Sequence, residues 1–176
     1  MKKFIFILMV SIPISFDLSA QSAGDYRSIA SGAWNDPTKW ERYDGTNWIT
    51  TTTYPGQNSG TGAVTIMKET EIKVSVNIPY PITSLTIRAD NPTILTTGVL
   101  AFNASTAVTL TVSGDVAIWG QLRIDDQTGA KTHTLVIGHN LVVGDIYDYN
   151  CNCYVSIFIL MSIEFFIIAS KSFFIC

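Results

Sequence analysis

From Ala63 to Ile146, apolar and polar residues alternate in short runs separated by turn residues. Such alternation puts one face of an extended strand against a core and the other in water. The runs are rich in Thr and Val, which suit a pleated surface. Between them stand Asp90-Asn91-Pro92, Ser113-Gly114-Asp115, Asp126 to Gly129 and Gly138-His139-Asn140, all residues that turn a chain. No stretch of useful length carries the 3.6-residue period of a helix, so helical repeats are excluded.

The alternation also repeats. "SLTIRA" (Ser84–Ala89), "TLTVSG" (Thr109–Gly114) and "TLVIGH" (Thr134–His139) align without gaps, with Leu85, Leu110 and Leu135 at a step of 25. Ile87, Val112 and Ile137 keep the same step, as do Val116 with Leu141 and Ile118 with Val143. A further set begins at Gly98, Gly120 and Gly144, and "AVTI" and "EIKVSV" form a shorter first turn. An antiparallel β-sandwich alternates too, but it does not require the same residues at a fixed phase. A parallel β-helix does, because equivalent positions stack about 4.8 Å apart. The expectation is therefore an all-β chain. It is read as a right-handed parallel β-helix of about 25-residue coils over 63–146, with Leu85, Leu110 and Leu135 in one interior ladder. The antiparallel sandwich is the alternative.

Both ends of the chain break this pattern. Residues 1–20 run from Lys2 and Lys3 through an apolar core to Leu18-Ser19-Ala20, the three parts of a secretory signal, with cleavage expected before Gln21. The apolar run is short of the roughly 20 residues that span a bilayer. Residues 147–176 contain no Gly, Pro or Thr, hold five of the nine Phe, and carry all three cysteines, Cys151, Cys153 and Cys176. A frameshift or truncation product is the leading expectation for this tail, with a membrane anchor over 154–169 second and a buried cap third. Glu164 within the anchor would cost on the order of 2–3 kcal/mol.

Residues 21–62 are expected to cap the first coil. Tyr26–Gly56 holds Trp34, Trp40 and Trp48, three of the four tryptophans. Bulky aromatics in a loop-rich segment bury much area per residue and suit a cap. Flat rings also suit pyranose faces, so Trp34, Trp40 and Trp48 are the candidate glycan platform.

The "G-x-W-x-D-P-x-x-W" opening within "SIASGAWNDPTKWERYDGTNW", followed by "GAVTI", "LTI" and "LTVSGDVAI", resembles the start of large secreted surface proteins of Bacteroidota. The opening also resembles, more loosely, the eight-glycine extracellular domain. The resemblance covers about Tyr26 to Ile146. It implies β-helical repeats, an exported cell-surface or adhesin-like role, and proteins that end in a type IX secretion sorting domain.

Candidate chemistry adds little to this picture. The net charge of -3 and the absence of a basic cluster exclude nucleic acid as a partner. Arg123, Asp125, Asp126 and Lys131 are the nearest thing to a calcium-dependent lyase site, and read better as a solvated turn. His133 and His139 lack a third ligand at a metal-binding spacing. No nucleophile elbow, phosphate loop or dinucleotide fingerprint occurs. The expected protein has no catalytic site, no metal and no cofactor, and its expected partners are extracellular glycans or surface proteins. A carbohydrate-binding module, or part of a β-helical polysaccharide lyase or glycoside hydrolase, is the alternative.

Overall fold

The computed structural model describes residues 21–89, 97–125 and 132–143, together with the backbone of two short strands beyond them. The chain is all-β. The helical element among the described residues is a 3-10 turn, Pro37–Lys39, opened by Asp36, whose carboxylate accepts from the Thr38 amide.

The first strands are β1 (Tyr26–Ser28), β2 (Gly32–Ala33), β3 (Trp40–Tyr43) and β4 (Trp48–Thr50). Next come β5 (Thr61–Ile66), β6 (Glu71–Val74), β7 (Ile82–Ile87) and β8 (Val99–Phe102). They are followed by β9 (Thr109–Val112), β10 (Val116–Ile118), β11 (Gln121–Ile124), β12 (Thr134–Ile137) and β13 (Leu141–Val143). The last two are β14 (Val155–Ile159) and β15 (Ser172–Phe173).

These strands form two sheets. The larger runs β15-β14-β12-β9-β7-β5-β1-β3-β4, with β10 between β7 and β13, and the smaller runs β11-β8-β6-β2. The smaller sheet is parallel throughout. The larger is parallel from β1 to β14 and antiparallel at its ends, where β3, β4 and β15 join. The chain passes from one sheet to the other and back between parallel neighbours. A sandwich that is antiparallel throughout does not describe this body, and the antiparallel ends set it apart from a purely parallel stack.

Apolar rows run across the pairing. Val64, Leu85, Val116 and Leu141 stand in one row, and Ile66, Ile87, Ile118 and Val143 in the next. In the smaller sheet Ile72, Leu100 and Leu122 align, as do Val74, Phe102 and Ile124. Most of these side chains are fully buried and belong to one core. Each buried Ile or Leu contributes about 1.5–3 kcal/mol relative to exposure.

The register corrects one expectation. Leu110 faces Leu135 and Val112 faces Ile137, as the 25-residue step requires, but Leu85 faces Val116 and not Leu110. The spacing is already 30 where Ile82 faces Val112, and a bulge raises it to 31 at Leu85. Ile82 faces Val112 and Leu85 faces Val116, so Ser113-Gly114-Asp115 opposes Thr83-Ser84. The Ser113 amide donates to the Ile82 carbonyl at 2.9 Å, and the Leu85 amide donates to the Asp115 carbonyl at 3.0 Å, closing the ladder on both sides. The extra residue is absorbed there and the apolar phase is kept.

Parallel pairing also begins upstream of the expected repeats: Tyr26 faces Val64, and Gly32 faces Ile72. Residues 1–20, including the signal, lie outside the described residues. So does most of 147–176, although the backbone of β14 pairs in parallel with β12, Leu135 opposite Ile157. Among the described residues no helix is long and apolar enough to cross a membrane.

Candidate functional site

Two surface regions bring polar or aromatic side chains together. The first is the outer face of β1, β3 and β4. Alternation places Arg27, Glu41, Tyr43 and Trp48 on this face, and the antiparallel register sets Arg27 opposite Glu41 and Tyr43 opposite Trp48. The Arg27 Nε and Nη2 donate to Glu41 Oε2 at 2.8 and 2.6 Å. Held in this way, the guanidinium lies 4.5 Å from the centroid of the Trp48 ring. Tyr43 packs on the same ring at 5.3 Å, tilted by 53°.

The other two tryptophans of the expected platform lie elsewhere. Trp34 and Trp40 are 0% and 1% exposed and meet edge to face at 5.1 Å. Trp34 Nε1 donates to the Pro55 carbonyl and Trp40 Nε1 to the Trp34 carbonyl, both at 2.8 Å. Neither ring offers a face to a ligand, so the platform reduces to Trp48 with Tyr43. The burial follows from phase: Trp34 lies two residues beyond Gly32, which faces the buried Ile72.

The second region is the outer face of β2, β6, β8 and β11. Glu71 and Lys73 alternate on β6, and Arg123 stands on β11 opposite Ala101 and, through it, Lys73. Arg123 Nη2 lies 2.9 Å from Glu71 Oε1, and Arg123 Nε lies 2.9 Å from Asp125 Oδ1. Lys73 Nζ approaches the same Glu71 oxygen at 3.1 Å. Partial burial opposes the charge on Arg123, but Asp125 and then Glu71 outweigh it, and the guanidinium is held above its ordinary value. Of the expected charged turn, Arg123 and Asp125 are thus paired, while Asp126 and Lys131 lie outside the described residues. Sequence reasoning missed Glu71 and Lys73. "EIKV" places both on one face, but nothing in the sequence tells which strand lies two rungs away.

Beside this network, where β2 ends the smaller sheet, lies a shallow groove of 420 Å³. It is lined by Gly32 and Ala33 together with Ser31, Glu71, Lys73, Ser75 and Asn103.

The histidines are apart in environment. His133 is buried, stacks on Phe102 at 5.5 Å and accepts from the Val108 amide at Nδ1. His139 sits in the exposed turn before β13, its amide donating to the Gly114 carbonyl. Among the described residues no three His, Cys, Asp or Glu side chains converge as metal ligands do. The cysteines lie outside them.

No family model, curated protein or solved structure matches the chain.

Proposed function

We propose that the chain is an exported cell-surface protein with a structural or adhesin-like role, built as a right-handed β-solenoid and carrying no catalytic site of its own. The observation that supports this reading best is the parallel pairing between strands that alternate between two sheets. A chain that leaves one sheet, visits the other and returns one rung further on winds as a solenoid does. The signal-like residues 1–20 and the resemblance of the tryptophan opening to secreted Bacteroidota surface proteins support export. The polar groups on the second face are tied into one another, Glu71 and Asp125 both being held by Arg123, as suits a surface built for contact.

A paired-cysteine experiment tests the winding. Thr111 and Val136 point outward and face each other across parallel rungs. Thr111→Cys with Val136→Cys should form a disulfide under mild oxidation, whereas Thr111→Cys with Ala117→Cys should not. Failure of the first pair, in a folded protein, overturns the stacking. Export is tested by fractionating cells that express the full chain and sequencing the N-terminus of the recovered protein. A product beginning at Gln21 outside the cytoplasm is expected, and cytoplasmic retention with Met1 intact overturns the reading.

A second reading, a carbohydrate-binding module, is favoured by Trp48. Its ring lies on an outer face and is pre-oriented by Arg27 and Tyr43. Immobilised ring of this kind costs little entropy on binding, and glycan retention lost on Trp48→Ala without unfolding would select this reading over a purely structural one.

A further inference from the structure

We propose that the groove beside β2 is a binding site for a neutral oligosaccharide, held mainly by hydrogen bonds. This deepens the surface-protein reading and rests on it for the glycan's origin.

The outer face of the smaller sheet is laid out in rows. The middle row runs Ala33, Lys73, Ala101 and Arg123, so small residues alternate with long cations. The two gaps left by the alanines are filled differently. Over Ala101, Arg123 reaches across β8 to Glu71, and Ala101 is 0% exposed. Over Ala33 there is no such strap, and the surface opens into the groove. Its volume of 420 Å³ falls within the range of about 300–1,000 Å³ that small-ligand sites occupy.

Polar groups converge on the gap from both ends. Ser31 Oγ accepts from the Glu71 amide at 2.9 Å, which leaves its hydroxyl hydrogen free to donate outward. Lys73 uses one direction on Glu71 and keeps others for a ligand. At the far end Ser75 and Asn103 follow the paired Val74 and Phe102, and the Asn103 amide donates to the Val74 carbonyl. The Asn103 carboxamide and Ser75 hydroxyl have no partner among the described residues, and together they offer both donors and acceptors. From Ser31 to Ser75 the groove follows four residues of β6, about 13 Å at the usual strand rise, a span for about two linked sugar rings.

Charge decides which sugars fit. Lys73 and Arg123 are balanced by Glu71 and Asp125 within the same network. A uronate or sulfated sugar would find no uncompensated cation and would meet the Glu71 carboxylate. A neutral sugar meets an ammonium, a carboxylate, a carboxamide and two hydroxyls, which suit vicinal hydroxyl pairs.

The test titrates the full chain with cellotriose and maltotriose by calorimetry, with trigalacturonic acid as the anionic counterpart. Two variants address the groove: Ser75→Ala with Asn103→Ala removes the far polar groups, and Ala33→Phe fills the gap from an outward position. Circular dichroism and thermal melting check that each variant folds, and Trp48→Ala tests the separate aromatic face. Binding of one neutral trisaccharide, weakened at least tenfold in both groove variants and kept in Trp48→Ala, is the expected result. Absence of binding to both neutral sugars, unchanged affinity in either folded groove variant, loss in Trp48→Ala alone, or tighter binding of trigalacturonate would each overturn the proposal. None of these outcomes bears on export, which N-terminal sequencing reads separately.

Discussion

Asp115 shows how a single turn residue ties one rung to the next. Its Oδ1 accepts from the Asn140 amide and from the Asn140 carboxamide, both at 2.9 Å. The backbone amide first, and the carboxamide after it, hold Asp115 below the usual carboxylate range, while slight desolvation works the other way. A carboxylate lowered on folding stabilises the fold above its ordinary titration range, and that contribution is lost as pH falls through the lowered value. Asp115→Asn should therefore melt below the native chain near neutrality, and the two melting temperatures should converge in strong acid. A constant gap across the pH series would show that the charge is not what matters. Tryptophan behaves in the same residue-by-residue way. Trp34→Ala and Trp40→Ala each remove a buried ring and leave a cavity, with an expected loss of about 3–5 kcal/mol in denaturant titrations. Trp48→Ala should cost under about 1 kcal/mol, as changes at partly exposed positions do. The tryptophan cluster was legible as a feature before the fold was known. The division into two core rings and one outer ring was not, because it depends on the phase of β2 against β6 for Trp34 and on the registers of β3 and β4 for Trp40 and Trp48.

At the level of elements, alternation located the strands well and the fixed period placed them less well. "TLTV" and "TLVI" stack at 25 as their likeness requires. Elsewhere the step changes: 21 from Thr61 to Ile82, 31 from Leu85 to Val116, and 22 from Leu100 to Leu122. Turns absorb these differences, and turn length is not written into the strand pattern. The bulge at Ser113-Gly114-Asp115 is such a device, and it had been legible only as a turn. Close approach of backbones makes some corner glycines indispensable. A Cβ on Gly120 would press on the Gly98 carbonyl and on the Ile87 side chain of the rung beneath. Gly120→Ala should destabilise by about 1–3 kcal/mol, the usual range for overpacking. An unchanged denaturation midpoint would mean that the corner yields more readily than its packing implies. The groove at Ala33 belongs to this scale as well. It exists because β2 is only two residues long and ends in a small side chain, a fact visible in the sequence only once β2 is known to edge the sheet.

Across the whole molecule, the parallel body is finished by antiparallel strands at both ends of the larger sheet. The edge strands themselves, β4 and β15, are three and two residues long, and short edges limit edge-to-edge association. Within the body most contacts of a strand are with the strands it pairs with. The strap from Arg123 to Glu71 is an exception to that locality. It joins β11 to β6, two strands that do not pair, across β8 and over Ala101. Each partly exposed ion pair contributes no more than about 1 kcal/mol, so the gain in overall stability is small. Its effect falls on the edge strand β11. With the strap in place, detaching β11 also breaks a contact to β6, which raises the cost of opening this edge by no more than that amount. Arg123→Ala should let the β11 amides exchange with deuterium faster than in the native chain while those of β6 change little, and unchanged β11 exchange would show that the strap does not hold this edge. One long side chain thus gives β11, an edge strand, a second attachment beyond its backbone bonds to β8.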